Sequence, residues 1–303
     1  MRTYKLLLAG LLPALLLAGA AAAQDVPVDL EIGYRHVEVT GNDEMYKNQI
    51  NEDSGLLIRS LSYGLGDIRG TNALDHFRID AADLGVGPNG MLRLEAGRTG
   101  YWKLNASYRH TENYSNFPSI ANPFLPGVLD SQHRFERKRD SIDVDLELLP
   151  GKAVRPLVGY SYSKYSGPGM TTYHVGQDEF ALSNDLSNKE SEFRVGLGFD
   201  AGPVSGQVLQ GWRMFRGTET TALAAGAGNG NFPGTILGVP VTLSSQARTA
   251  KTDVDTPVTT AVVTGKLGSA VRLTANYVRA DAESEDEQSE SLAGSLVSYE
   301  ILR

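Results

Sequence analysis

The stretch 142–149, IDVDLELL, puts Ile142, Val144, Leu146 and Leu148 on one side of an extended chain and Asp143, Asp145 and Glu147 on the other. Side chains of a strand alternate between its faces, so this period of two marks a strand with one apolar and one wet face. The alternation recurs on either side of that stretch: at Val28, Leu30, Ile32 and Tyr34; Leu92 and Leu94; Trp102, Leu104, Ala106 and Tyr108; Phe193, Val195, Leu197 and Phe199; and Val271, Leu273, Ala275 and Tyr277. About a dozen strands are expected, near 28–39, 56–65, 75–84, 90–97, 101–110, 140–149, 153–164, 190–200, 203–215, 256–265, 270–280 and 292–302. Most approach the roughly 10 residues with which a tilted strand crosses a bilayer.

Connections between these segments alternate in length. Short turns fall at 97–100, 150–152, 200–203 and 266–269, and long ones at 111–139, 165–189, 216–255 and 281–291; the short 85–89 link breaks the rule, because this phase makes it an external loop. A transmembrane barrel has short periplasmic turns and longer external loops, whereas a soluble sandwich has no reason to keep the two kinds in phase. The pattern predicts an all-β chain folded as a transmembrane antiparallel up-and-down β-barrel, against the alternative of a secreted soluble β-protein. Rings such as Tyr63, Trp102, Tyr108, Tyr160, Tyr162, Trp212 and Tyr277 lie in or at the ends of strands, which suits either the headgroup level or cross-strand packing.

Composition excludes several classes. The 303 residues contain no Cys, so a disulfide framework, a thiolate metal site, an iron–sulfur cluster and a covalently attached c-type haem are all ruled out for this chain. A formal charge of -8 argues against a nucleic-acid partner. Residues 1–23 read as a secretory signal peptide: Arg2 and Lys5, an apolar run at 6–17 broken by Pro13, then Ala21, Ala22 and Ala23 before Gln24. Residues 24–303 are then the exported barrel, expected in the bacterial outer membrane. Removing Arg2 and Lys5 leaves 26 of the 28 basic side chains against 36 acidic ones.

FRIDAADLG (77–85), MLRLEAGRTG (91–100) and YWKLNASYRH (101–110), followed by ENYSNFPSIANPFLPG (112–127), resemble the N-terminal half of the MtrB/PioB family, and VDLELLPGKAVRPLVGYSYSKY (144–165) is similar in style. That resemblance implies a non-catalytic outer-membrane barrel that sheathes a multihaem c-type cytochrome, sits in outer-membrane lipid, is inserted by the barrel assembly machinery and binds no cofactor itself. Members of that family are about twice as long, and some carry an N-terminal Cys pair that this chain lacks. Twelve strands close to a backbone diameter of only about 24 Å, with a bore of about 10 Å, whereas twice as many give about 50 Å, enough for a domain about 30 Å across. The chain also ends SYEILR, without the terminal aromatic residue common in such barrels. It is therefore expected to be part of a larger barrel, against the alternative of a complete 12-stranded one.

Candidate chemistry is sparse. His36, His76, His110, His133 and His174 show no metal-ligand spacing, and no Ser/His/Asp motif stands out, so no catalytic or metal-binding residue is expected. GAGNG (226–230) lacks the Lys-Ser/Thr of a phosphate loop and reads as a flexible loop. Arg134, Arg137, Lys138 and Arg139 end the first long loop and suit lipopolysaccharide phosphates, an acidic partner or plain solvation; 281–290 is an acidic loop without calcium-loop spacing. The functional surface is expected on the wet face: Lys103, Asn105, Arg109, Asp143, Asp145, Glu147, Arg194 and Arg272, which contact a partner in a sheath or set ion selectivity in a cation-preferring diffusion porin.

Overall fold

A computed structural model of the chain describes residues 28–66, 73–117, 133–175, 178–228, 230, 235–236, 239–268 and 270–295. The expected signal peptide lies outside the described residues, as do 296–303. In chain order the elements are β1 (Val28–Arg35), α1 (Asp43–Gln49), β2 (Gly55–Leu65), β3 (His76–Gly85), β4 (Asn89–Arg98), β5 (Trp102–Phe117), β6 (His133–Leu148), β7 (Val154–Val175), β8 (Asp178–Ala201), β9 (Val204–Leu223), β10 (Thr235–Ile236), β11 (Val239–Pro240), β12 (Thr242–Leu267), β13 (Val271–Ala280) and β14 (Glu283–Ser295). Each of the first eleven segments expected from the alternation is a strand of the main sheet.

Twelve strands form one antiparallel sheet, in the order β1 to β9, then β12, then β13. The short β10 and β11 pair with each other inside the β9–β12 connection. β13 and β14 lie along the same edge of β12, facing its second and first halves respectively, so together they run as one long strand interrupted at 281–282. Along the sheet β1 pairs with β2 and β13 with β12, so the sheet is open rather than closed among the described residues. Beyond ladder neighbours, the substantial contact between described elements is α1 on β5. No helix among the described residues is long and apolar enough to cross a membrane, which says nothing about strands.

The meander puts alternate connections at opposite ends of the sheet, and the four short turns expected near 97–100, 150–152, 200–203 and 266–269 share one end. The tightest joins β8 to β9 through Gly202 and Pro203 alone. Gly202 has φ +64, the left-handed backbone that a two-residue hairpin with Gly first requires.

The opposite end corrects the sequence reading. Residues 165–175 and 178–189, expected as loop, continue β7 and β8 in an unbroken register from Val154↔Phe199 to Val175↔Asp178. Arg134, Arg137, Lys138 and Arg139 lie on β6, and 283–291 of the expected acidic loop is strand β14. Of the expected last strand, 292–295 belongs to β14. These extensions carry polar residues on both faces, so no alternation marked them. A small core helps to hold their tip: Phe180 and Leu243 are fully buried with Val241, against Tyr173, Val175 and Leu223.

One row of mutually facing residues crosses ten strands: Gly64, Arg78, Glu95, Asn105, Asp145, Gly159, Arg194, Gly211, Val258 and Ala280. Gly64 stands one residue from the short-turn end of β2 and Ala280 nine from that of β13, so the row climbs eight residues over nine strand-to-strand steps. With about 3.3 Å per residue and about 4.8 Å per step, the strands lean about 31°. The adjacent row, on the other face, reads Val28, Tyr63, Ile79, Leu94, Ala106, Val144, Tyr160, Phe193, Trp212 and Pro257. It contains no charge. Its large side chains on the later strands are open to the surroundings, with Phe193 at 43% and Trp212 at 45% exposure.

Candidate functional site: the charged face

Alternation fixes which residues share the charged face, and the register then decides which of them meet. Lys103 faces Glu147 across β5 and β6, Asn105 faces Asp145, and Ser107 faces Asp143. Asp145 faces Gly159 on β7, which in turn faces Arg194 on β8. With no side chain on the middle strand, Arg194 reaches across it: Nη2 lies 3.1 Å from Asp145 Oδ1 and 3.3 Å from Asp143 Oδ2, and Nη1 donates to Ser161 Oγ at 2.8 Å. A Cβ on Gly159 would stand 2.6 Å from that Asp145 oxygen and 2.8 Å from Arg194 Nε, so glycine here is what lets a salt bridge span three strands.

The network continues sideways and toward the turns. Arg213 on β9 holds Glu192 at 2.8 Å and Glu190 at 3.3 Å. Arg155 on β7 binds Glu147 at 3.0 Å and also Asp200. Lys103 pairs with Glu95 at 3.1 Å, and Arg78 with Asp80 at 2.7 Å. Across β6 to β9 the network sets the carboxylates of Asp143, Asp145, Glu147, Glu190, Glu192 and Asp200 against the guanidiniums of Arg155, Arg194 and Arg213. Acid exceeds base two to one. Such a face attracts cations or a basic protein surface, and its ion pairs hold the side chains in place.

Of the eight residues expected to form the surface, Lys103, Asn105, Asp143, Asp145, Glu147 and Arg194 come together on β5 to β8. Arg109 lines a shallow depression beside them with Arg93, Ser107, Ser141 and Asp143. Arg272 shares their face but stands apart on β13, opposite Lys266 near the turn. Sequence reasoning missed Glu95, Arg155, Glu190, Glu192 and Arg213. Their position in the alternation on β4, β7, β8 and β9 was the available signal.

A second cluster lies on the other face, beyond its apolar part. His110 is buried, with Nδ1 at 2.8 Å from Asp140 and Nε2 at 3.0 Å from Glu112; the Tyr108 hydroxyl also donates to Asp140, and Lys138 holds Glu112 at 3.0 Å. Burial alone lowers the His110 pKa, but the hydrogen bonds and charges of Asp140 and Glu112 outweigh it and raise the imidazole to about 9. Doubly hydrogen-bonded and cationic, His110 is an electrostatic clasp between β5 and β6.

Fold and site together define a class: a single-layer antiparallel meander with one ion-paired face and one face that carries an apolar band near the short turns and charges beyond it. Comparisons with models of known protein families, with curated proteins and with solved structures return no match.

Proposed function

We propose that this chain forms wall of an outer-membrane β-barrel, with the apolar face toward lipid and the charged face lining a lumen that holds a partner protein. The observation that carries the reading is the height of the uncharged band. Counting on the apolar face from the short-turn end of β5 to β9, the first charge comes at the eighth residue step on β5 (His110) and β6 (Asp140), the tenth on β7 (Lys164) and the twelfth on β8 (Lys189) and β9 (Arg216). A strand crossing a bilayer needs about 9 to 11 residues. The ten residue steps from Val204 to Met214 rise about 28 Å at the tilt above, close to the roughly 25 Å apolar band of such barrels. One amide interrupts that band, and it is satisfied: Gln210 accepts from Thr259 Oγ1 at 2.6 Å and donates to the Gly211 carbonyl at 3.0 Å.

The occupant of the lumen follows from the MtrB/PioB resemblance, which implies a multihaem c-type cytochrome, with this chain as the non-catalytic insulating sheath. The acid excess of the charged face supports docking of a basic surface on that partner. It supports equally the second reading, a diffusion porin with cation preference. Charge reversal separates the two. In proteoliposomes carrying a cytochrome, reversing Asp143, Asp145 and Glu192 together weakens cytochrome retention under the sheath reading and leaves passive solute flux unchanged. Steady cation-selective conductance of the cytochrome-free protein, inverted by the same reversals, establishes the porin instead.

A further inference from the structure

Where the uncharged band ends, the next row on the same face reads His110, Asp140, Lys164, Lys189, Arg216 and Asp253 across β5 to β9 and β12. Both ends of this row are compensated. His110 sits between two carboxylates, and Arg216 meets Asp255 at 2.8 Å and Asp253 at 3.7 Å. The middle is not: Lys164 and Lys189 face each other directly on adjacent strands. No ion pair involving either is found among the described residues. Asp140 acts on Lys164 through space, but its Oδ1 already accepts from Tyr108 and binds His110. Like charges directly opposite weaken a ladder, so this pair favours an anion between its ammonium groups.

The surroundings specify the anion. Ser166 and Ser187 face each other one row farther out, and Ser191 lies one row nearer the band, so hydroxyl donors flank the two ammonium groups. Below come Tyr160, Phe193 and Trp212, the last two stacked with ring centroids 6.2 Å apart. Cationic and hydroxyl donors stand above a bare aromatic floor on one continuous face, which fits a molecule with phosphate at one end and hydrocarbon at the other. We infer that Lys164 and Lys189 bind the phosphate of an anionic membrane lipid, whose acyl chains lie over Tyr160, Phe193 and Trp212. This deepens the proposed function and rests on its assignment of the apolar face to lipid.

The test reconstitutes the full chain and its Lys164→Gln/Lys189→Gln variant into phosphatidylcholine discs. Insertion is scored by protease protection, and both are then titrated with phosphatidylglycerol, counting bound lipid by native mass spectrometry. The variant is expected to insert as the parent does and to bind phosphatidylglycerol about thirty-fold more weakly, roughly five-fold per lysine. Inorganic phosphate leaves the parent's binding unchanged, and Lys251→Gln, which removes a lysine already paired with Glu287 at 3.1 Å, leaves it unchanged too. Equal affinity in parent and double variant overturns the lipid site alone. Displacement by inorganic phosphate overturns it in favour of a free-phosphate site, and an equal loss in Lys251→Gln reduces it to general charge. Failure of both chains to insert takes the membrane reading down with it.

Discussion

The same strands run through two regions that differ in everything except the backbone ladder. In the band nearest the short turns, Ile142, Phe193 and Trp212 stand open on one face while Asp145 and Arg194 stand on the other. In the extension, β7 and β8 continue for a further dozen residues with polar side chains on both faces, and the apolar groups there, Phe180 and Leu243, are fully buried. The extension solves the problem of water in the usual way, by covering what is greasy. On β6 to β9 the band leaves it uncovered, which is stable only where the surroundings are apolar, whereas on β2 and β3 Leu61, Tyr63, Ile79 and Ala81 are buried together. The difference teaches that one hydrogen-bonded sheet can be built for two solvents, with the change written in side chains alone.

The largest way to break that comparison is at the tip. Phe180→Ala removes a fully buried ring and is expected to cost about 3 to 5 kcal/mol locally. Hydrogen exchange should accelerate at 170–182 while the band keeps its protection; loss of protection throughout the sheet shows that the two regions are one cooperative unit.

Next comes an arginine placed on the same face at two heights. Val144→Arg, in the band, is expected to cost about 2 to 4 kcal/mol in a bilayer, and Thr218→Arg, in the extension, less than about 0.5. Denaturant unfolding from liposomes measures both, and similar costs at the two sites remove the grounds for treating the band as lipid-facing.

The smallest effect is one of pH. A histidine whose folded pKa is raised contributes stability that is fully present below its unfolded pKa of about 6.5. That contribution is lost as pH rises through about 9. The thermal stability of the parent should therefore exceed that of His110→Gln at neutral pH, with the gap closing above about pH 9. A gap independent of pH means that His110 acts by packing instead of charge.

Much of the band was legible in the sequence because period two is a local signal: Ile142 to Leu148 declares both faces without any knowledge of a partner strand. The extension was illegible for the matching reason. Residues 165–175 and 178–189 include Gly167, Pro168 and Gly169 and show no sustained alternation, and what orders them is the register continued from β7 and β8 together with the distant contact of Phe180 and Leu243. The charged face divides along the same line. Asp143, Asp145 and Arg194 could be assigned to it by alternation, but their meeting across Gly159 depends on two interstrand registers that no local window contains. His110 and Asp140 are thirty residues apart, and nothing in YRHTE at 108–112 announces the pair.

Since each strand from β1 to β9 pairs with its sequence neighbour, the assembly route is constrained as well as the finished shape. Closing a hairpin across Gly202 and Pro203 costs far less chain entropy than bringing remote segments together. Each completed hairpin also presents an unsatisfied edge on which the next can zip. Growth can then proceed stepwise along the chain, in the order of synthesis. The exceptions are the long bridges, residues 36–54 between β1 and β2, 118–132 between β5 and β6 and 224–241 between β9 and β12, which are therefore the expected slow steps in building the sheet.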